Sequence, residues 1–413
     1  MRIRCSEHQQ RLWFIDKFEK GYIYESSPTY HNLPLIVKIP QELNLSKFEE
    51  TVKKVANIFP IFKTNFKSYD DSPFQVLQES VSFSLKHHQN LNLKTEGELK
   101  QAILEMVNQP FDIESDSLVR FDLILRNKDQ YVFVITAHHL IADRKSLKLL
   151  FNDIVNDYFN GNVPGTDGLQ YYDYSEWQND LTHDDLEPFF FYWKKKLTNA
   201  RVLYLDTDVA RAHVHIYKAA FKDQTLSQDL SNKIDLFCKT HNTTPFYFFL
   251  TAFNCLLYKY SATDEITIGT LYENREKEEL GAVLGPVANL LSLRTNLKDT
   301  QPFLSLLSNV VDDCTQSIDF SDIPFEKVVS KVNPEKDMSR TAVFDVLFHY
   351  ENEEAKNNTL QQFEIIELNY GLGKYDLNFL VKKADTFKLF LTFNEKYFTH
   401  ARMNRLMGHY LNI

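Results

Sequence analysis

The stretch YVFVITAHHLIADRKS (131–146) contains the pattern that decides the fold of this chain. It begins with strand-forming residues, continues through two adjacent histidines, His138 and His139, and reaches an aspartate at Asp143. The following run, SLKLLFNDIVNDYFNG (146–161), has apolar residues at the spacing of one helix face and ends on an Asn-Gly pair typical of a helix C-terminus. The pattern therefore predicts a strand, a short loop and a helix, a junction that exposes side chains while it anchors the loop on both sides.

A second pair of adjacent histidines shows that the His-His dipeptide alone is weak evidence for a catalytic site. His87–His88 also follow a strand-like run, VSFSLKHH, but Asn92 stands where an aspartate would be needed. After His138–His139 the chain instead enters a helix that Asp143 or Ser146 can cap. Adjacent residues of an extended segment face opposite sides, so one histidine can face a cleft while the other packs beneath it. The local pattern leaves both a catalytic site and a structural cluster open, and it disfavours a metal site because no third His or Cys lies nearby.

The composition is that of a globular protein. The chain has 413 residues, enough for two or three domains, with 43% hydrophobic and 25% charged residues. A net charge of −10 argues against nucleic acid as a partner, and the basic run YWKKKL (192–197) is interpreted as a solvated helix face. No glycine-rich phosphate-binding string occurs. Neither a membrane span nor a signal peptide is apparent, so we expect a cytoplasmic protein that does not enter a membrane. Four widely spaced cysteines are predicted to be reduced thiols: Cys5, Cys238, Cys255 and Cys314.

Helices and strands alternate without a strict βαβα order. Periodicity predicts helices at 46–62, with Ser46 as N-cap, and at 146–161 and 243–261, a helix start at 171–181, and strands at 81–88, 121–127, 131–137 and 265–271. A polar turn is expected at Asn127–Gln130, and a polar connection at 160–170. The mixture predicts an α+β chain of two lobes with a boundary near 175–200.

Nine short motifs, taken in order, resemble those of the condensation domains of nonribosomal peptide synthetases, which belong to the chloramphenicol-acetyltransferase-like superfamily. HHLIAD matches the HHxxxD motif completely, whereas FPIFKTNF matches only the end of an Arg-His-Glu-x-Leu-Arg-Thr-x-Phe motif. The nine are SEHQQRLWFID (6–16), FPIFKTNF (59–66), HHLIAD (138–143), YYDYSEWQ (171–178), LYLDTDVAR (203–211), LGPVANLLSLR (284–294), SDIPFEKVV (321–329), SRTAVFDVLFHYEN (339–352) and KYDLNF (374–379).

The resemblance implies two chloramphenicol-acetyltransferase-like lobes, residues 1–175 and 176–413, in a V-shaped pseudo-dimer with a central tunnel. It implies amide formation between an acyl thioester on the phosphopantetheine of an acyl or peptidyl carrier protein and an amine, either carrier-bound or a small molecule. No metal and no bound cofactor are implied. Two alternatives stay open on the same fold: acyl transfer to an alcohol or small free amine, and a non-catalytic recruitment domain. The chain is either a free-standing protein or one domain of a larger one.

The resemblance also assigns residues. Within the catalytic motif, His139 is implied to act at the reacting amine, as a general base or by positioning, and His138 to be structural support. Asp143 is expected to pair with Arg294, the arginine of the NLLSLR motif, and to tie the loop to the second lobe.

One position departs from the family, which has glycine after the aspartate where this chain has Arg144. Glycine accepts φ > 0 and close ligand approach. We therefore expect Arg144 to restrict the tunnel, contact an unusual substrate, mark a loss of catalysis or simply face solvent. Ser146, Asn289 and Asn352 are further expected to line the tunnel.

Overall fold

The computed structural model describes residues 2–20, 28–89, 93, 95–127, 130–165, 168–213, 218–261, 263–332, 339–352, 363–368 and 375–413. Parts of three predictions therefore lie outside the described residues: positions 128–129 of the predicted turn, positions 166–167 of the polar connection and position 374 of the last motif.

Helices and strands are mixed along the chain, as predicted. The helices are α1 (Glu7–Glu19), α2 (Leu45–Ile58), α3 (Glu96–Val107), α4 (Arg144–Asn160), α5 (Tyr171–Asp180), α6 (His183–Leu197), α7 (Gln228–Thr240), α8 (Pro245–Ser261), α9 (Phe303–Asp319), α10 (Phe325–Val332) and α11 (His400–Leu411). The strands are β1 (Arg2–Arg4), β2 (Asn32–Ile39), β3 (Thr64–Tyr69), β4 (Ser72–Leu77), β5 (Leu85–His88), β6 (Val119–Asn127), β7 (Gln130–His138), β8 (Ala219–Thr225), β9 (Glu265–Tyr272), β10 (Asn289–Asn296), β11 (Val346–Asn352), β12 (Glu364–Ile365), β13 (Leu377–Lys383) and β14 (Phe387–Asn394).

The chain forms two compact units. The first comprises Met1–Thr182, Glu273–Ala288 and Asn357–Tyr370; the second comprises His183–Tyr272, Asn289–Lys356 and Gly371–Ile413. Whereas the predicted lobes are two consecutive pieces of chain, the first unit takes up two later segments as well. The segment Glu273–Ala288 supplies residues that bond to the loop between His138 and Arg144.

The first unit is built on a five-stranded sheet in the order β12-β2-β7-β6-β5. β7 lies at its centre, antiparallel to β2 and to β6, and places His138 opposite Asn32. Every residue of β7 after Gln130 is buried, which explains why this strand is an almost continuous apolar run. A separate three-stranded sheet has the order β1-β4-β3.

The second unit is built on a six-stranded sheet in the order β10-β9-β11-β13-β14-β8. Its core is aromatic: the rings of Phe253 and Phe379 stack with their centroids 4.8 Å apart. A Cβ at Gly269 would lie 2.1 Å from the ring of Phe344, so the close approach of this ring to β9 requires glycine.

The predicted elements are present, with corrections at their ends. α2 is capped by Asn44, whose side chain accepts from the amide of Lys47, and not by Ser46, which lies within the first turn. α4 is capped by Asp143, which decides between the two predicted caps. The strand predicted at 81–88 is ordered as a strand only over β5. The four thiols are free, as predicted. Across the described residues, no helix has both the length and the apolarity of a bilayer-spanning segment.

Candidate active site

The HHxxxD motif forms the predicted junction. β7 ends at His138, and α4 begins at Arg144. Residues 140–142 between them are fully buried, so apolar packing holds the loop from below. The amide of His139 donates to the carbonyl oxygen of His31 at 2.9 Å, which ties the loop to the chain just before β2. The loop is therefore short, packed and anchored to its sheet.

His138 is the buried member of the pair. Its side chain is inaccessible to solvent, and its Nδ1 accepts from the amide of Leu140 at 3.1 Å. Burial lowers the pKa of His138 to about 3, and electrostatic repulsion from His139, Arg120 and His8 adds to this effect. His138 is therefore neutral at physiological pH, which supports its interpretation as structural support.

His139 is half-buried, and a hydrogen bond to the backbone shows which of its nitrogens carries the proton. Nδ1 lies 3.0 Å from the carbonyl oxygen of Ala142. A carbonyl oxygen only accepts, so Nδ1 must carry the proton. In the neutral imidazole this leaves the lone pair on Nε2. The geometry thus presents Nε2 as the basic atom of the ring.

Asp143 holds the loop from the other end. Its carboxylate accepts two hydrogen bonds from Ser146, through the amide at 2.8 Å and the hydroxyl at 2.7 Å. It accepts two from Arg275, at 2.8 and 3.1 Å, and one each from the amides of Val287 and Ala288, both at 3.1 Å. Neither oxygen is left for a substrate, so Asp143 acts on the structure of the loop.

The charge of Arg275 keeps this buried carboxyl ionised. Burial by itself would raise the pKa of Asp143, but the charge and hydrogen bonds of Arg275, with those of Ser146, outweigh burial and lower it. The Arg275 and Asp143 side chains are only 4% and 6% exposed. Removing either partner would leave the other buried and without its counter-charge.

The predicted pair of Asp143 with Arg294 is wrong. Arg294 lies on β10 and donates to Glu265 on the adjacent strand β9 at 2.6 Å, and to the carbonyl oxygens of Lys196 and Thr198. Cross-strand neighbours lie on the same face of a sheet, so Glu265 can reach Arg294 from the adjacent strand, and the end of α6 supplies the two carbonyl oxygens. Sequence reasoning missed Arg275, which lies three residues after the end of β9, because the family motif directed attention to the arginine of the next strand.

Ser146 is also a structural residue and not a tunnel residue as predicted. It is fully buried, and its hydroxyl lies 2.7 Å from both a carboxylate oxygen of Asp143 and the carbonyl oxygen of Gly285, which share its single proton. The hydroxyl also accepts from the amide of Gly285 at 3.0 Å. Gly285 has φ +151°, and a Cβ there would lie 2.1 Å from the ring of Tyr171. Only glycine fits this turn. Through Ser146, the turn supports the first residues of α4.

The opening motif of the chain braces the same loop. Ser6 and Gln9 form a capping box at the start of α1. The side chain of Gln9 donates to the carbonyl oxygen of Leu140 at 3.0 Å, and the hydroxyl of Ser6 lies 2.8 Å from that of Tyr171. The motif at 6–16 therefore supports the HHxxxD loop directly, and the motif at 171–178 is joined to it through Ser6, an arrangement that their spacing in sequence could not reveal.

A sequence model of the condensation domain matches residues 2–413. The chain belongs to the condensation domain family. This membership confirms the predicted family and the predicted class of function, because condensation domains of nonribosomal peptide synthetases are acyltransferases that form amide bonds.

The curated relatives are large synthases. The condensation domain is 28% identical over 413 residues to gramicidin S synthase 2 of Brevibacillus brevis, covering 99% of this chain and 9% of that protein. It is 26% identical over 415 residues to bacitracin synthase 3 of Bacillus licheniformis, covering 99% of this chain and 6% of the relative. The chain thus spans less than a tenth of the length of these proteins.

Solved structures share the fold. The condensation domain of the monacolin K polyketide synthase MokA superposes with a TM-score of 0.85 at 16% identity, covering 100% of this chain and 96% of that one. A four-domain nonribosomal peptide synthetase bound to AMP and glycine gives a TM-score of 0.87 at 19% identity, covering 98% of this chain and 32% of the other. The predicted α+β fold is confirmed.

Arg144 of this condensation domain has an ordinary backbone. It is the first residue of α4 and does not have a positive φ, so the position does not require glycine. Its guanidinium pairs with the carboxylate of Glu367, with the two side chains 29% and 18% exposed. Arg144 therefore joins the start of α4 to the segment 363–368, which also contributes β12 to the sheet.

The remaining predicted tunnel residues lie in the second unit. The side-chain amide of Asn289 donates to the carbonyl oxygens of Ser321 and Ile323, both at 2.8 Å, and accepts from the amides of Leu290 and Phe325. All of these partners lie within the protein, so Asn289 holds the segment that leads into α10. Asn352 is exposed at the end of β11.

No cluster of three or more His, Cys, Asp or Glu that could hold a metal ion occurs within the part of the chain that the structure describes.

Proposed function

We propose that this condensation domain joins an acyl group, held as a thioester on the phosphopantetheine of a carrier protein, to an amine. The observation that carries the proposal is the orientation of His139. Its Nδ1 is bonded to the Ala142 carbonyl oxygen at 3.0 Å, which leaves Nε2 as the basic atom of a half-exposed ring. The loop that carries it is held by the buried pair of Asp143 and Arg275.

The chemistry requires a group of this kind. The amine nitrogen attacks the thioester carbon, the new C–N bond forms, and the carbonyl oxygen becomes an oxyanion. The attacking nitrogen then carries an extra proton, which Nε2 of His139 accepts. The C–S bond breaks, the carbonyl re-forms, and the departing thiolate takes up the proton. The products are an amide and the free thiol of the carrier.

The substrates and partners belong to the proposal as well. The relatives are named as synthases of gramicidin S and bacitracin, and this chain matches one small part of each. We propose acyl or peptidyl carrier proteins as the partners that present the donor, and a carrier-bound or small free amine as the acceptor. The division into lobes 1–175 and 176–413 that enclose a tunnel stays a prediction, as does substrate contact by Arg144 and Asn352.

The test compares one histidine from each of the two adjacent pairs. His139→Ala should lower amide formation from loaded carriers by about 10²–10⁴-fold, the usual contribution of a general acid–base group. His87→Ala is the matched control, since His87 is also half-buried but bonds Glu49. It should leave turnover unchanged.

Unchanged turnover in a folded His139→Ala protein, judged by its melting temperature, would contradict the role of His139. An ester formed from an alcohol acceptor, with no amide from any amine tried, would replace the amide assignment by ester formation.

A further inference from the structure

A second histidine lies against His139 and is not part of the HHxxxD motif. His8 is the second residue of α1, and its ring centroid lies 4.8 Å from that of His139 with 58° between the ring planes. The Nε2 atom of His8 is buried. The opening motif, Ser-x-x-Gln-x-Arg-Leu-Trp, does not specify this position.

The contact between the two rings is held by the backbone around it. Gln9, the next residue, is fully buried and donates to the carbonyl oxygen of Leu140, the residue after His139. The cap of the same helix, Ser6, is bonded to Tyr171 at 2.8 Å. Because α1 is tied to the loop on the residue next to each histidine, the backbone segments that carry the two rings cannot separate without breaking a buried hydrogen bond.

His139 benefits from such a contact because its ring torsion is soft. The terminal sp³–sp² torsion of histidine is broad, and a ring turned by half a revolution would exchange the places of Nδ1 and Cδ2. The bond from Nδ1 to Ala142 would then be lost, and Nε2 would point elsewhere. A second ring packed on the imidazole opposes that rotation.

We propose that His8 is a positioning residue, whose ring keeps His139 in the orientation with Nδ1 on the Ala142 carbonyl oxygen and the lone pair on Nε2. This rests on the proposed role of His139. It specifies how the ring is held, and it makes the shape of the side chain at position 8 the property that matters.

Two variants separate shape from titration. His8→Ala removes the ring, whereas His8→Phe keeps a ring of similar shape that cannot take up a proton. The domain is labelled with ¹⁵N-histidine, and the nitrogen shifts of His139, assigned by the signal lost in His139→Ala, report which nitrogen carries the proton. Steady-state rates with loaded carriers are measured on the same proteins.

In the wild type and His8→Phe we expect the Nδ1-protonated form of His139. In His8→Ala we expect a mixture of forms, kcat lower by about tenfold to 10²-fold, the scale of an ångström-size misplacement, and KM unchanged. Melting temperatures close to wild type show that the fold is kept.

An unchanged His139 spectrum in His8→Ala would overturn the proposal. So would an equal loss of kcat in His8→Phe and His8→Ala, since a proton on His8 and not its shape would then be needed. The spectra require no turnover, so they test His8 even if the acceptor assay shows that the proposed function is wrong.

Discussion

The two pairs of adjacent histidines in this protein end two strands of the same sheet and are held in opposite ways. On the edge strand β5, Nε2 of His87 lies 3.1 Å from a carboxylate oxygen of Glu49, and Nε2 of His88 lies 2.8 Å from one of Asp122. On the central strand β7, the bonds that orient the rings run to the backbone through Nδ1. The carboxylate that follows the second pair, that of Asp143, forms an ion pair with Arg275.

The difference shows what makes one pair suitable for chemistry. A carboxylate on Nε2 occupies the nitrogen that a substrate would need. A backbone carbonyl on Nδ1 sets the tautomer and leaves the lone pair on the other nitrogen. The same dipeptide is therefore structural on β5 and provides a candidate base just after β7, because the neighbouring carboxylates have different partners.

The largest expected effect comes from removing the arginine that engages Asp143. Arg275→Ala leaves a buried carboxylate without its counter-charge and should lower the free energy of unfolding by about 3–5 kcal/mol, along with activity. Arg294→Ala is the control, because Arg294 and Glu265 are each 20% exposed and solvent screens them more. Denaturant titrations of both variants measure the free energy of unfolding. Equal losses would show that the pair of Asp143 and Arg275 contributes no more to stability than the pair of Arg294 and Glu265.

The second effect is a pH dependence that belongs to His138. Its pKa falls from an ordinary 6.5 to about 3 in the folded protein, so between these values the unfolded chain binds the extra proton. The stabilising contribution is complete above pH 6.5 and is lost as the pH falls toward 3, with a slope of up to about 1.4 kcal/mol per pH unit. His138→Gln should flatten the stability curve between pH 6.5 and 4.5. A parallel curve for the variant would mean that His138 is protonated in the native state.

A smaller effect is expected at the start of α4. Arg144→Gly should cost about 1 kcal/mol, from lost helix propensity and a half-exposed ion pair, and it should broaden the set of acceptors if Arg144 restricts them. Glu367→Gln removes the partner charge but keeps the arginine, so it separates the ion pair from the bulk of the side chain. Identical product profiles for wild type and Arg144→Gly over a broad acceptor panel would exclude a selective role.

The smallest effect is expected at the structural pair on β5. Glu49→Gln removes a half-exposed carboxylate whose pKa is lowered by its hydrogen bonds from Lys53 and His87. The free energy of unfolding should change by about 1 kcal/mol or less, and turnover should not change. A clear loss of turnover in this variant would break the comparison, because it would place the β5 pair in the catalytic machinery.

The sequence alone determined the elements whose cause is local. Periodicity and end residues depend on near neighbours. The sequence therefore predicts the apolar run of β7, the apolar face of α4 and the Asn-Gly pair that ends this helix. The resemblance of the ordered motifs identified the family, and it singled out His138, His139 and Asp143 together.

Only the tertiary structure decided which partner each polar group has. Arg275 meets Asp143 across 132 residues, and no local pattern distinguishes it from Arg294, which lies 19 positions further along and pairs with Glu265 on the adjacent strand. Likewise, the sequence could not assign Ser146 to the turn at Gly285 or place the ring of His8 on His139. Hydrogen bonds and ion pairs of buried groups are satisfied by whatever the fold brings close, so their partners follow from the packing of distant segments and not from spacing along the chain.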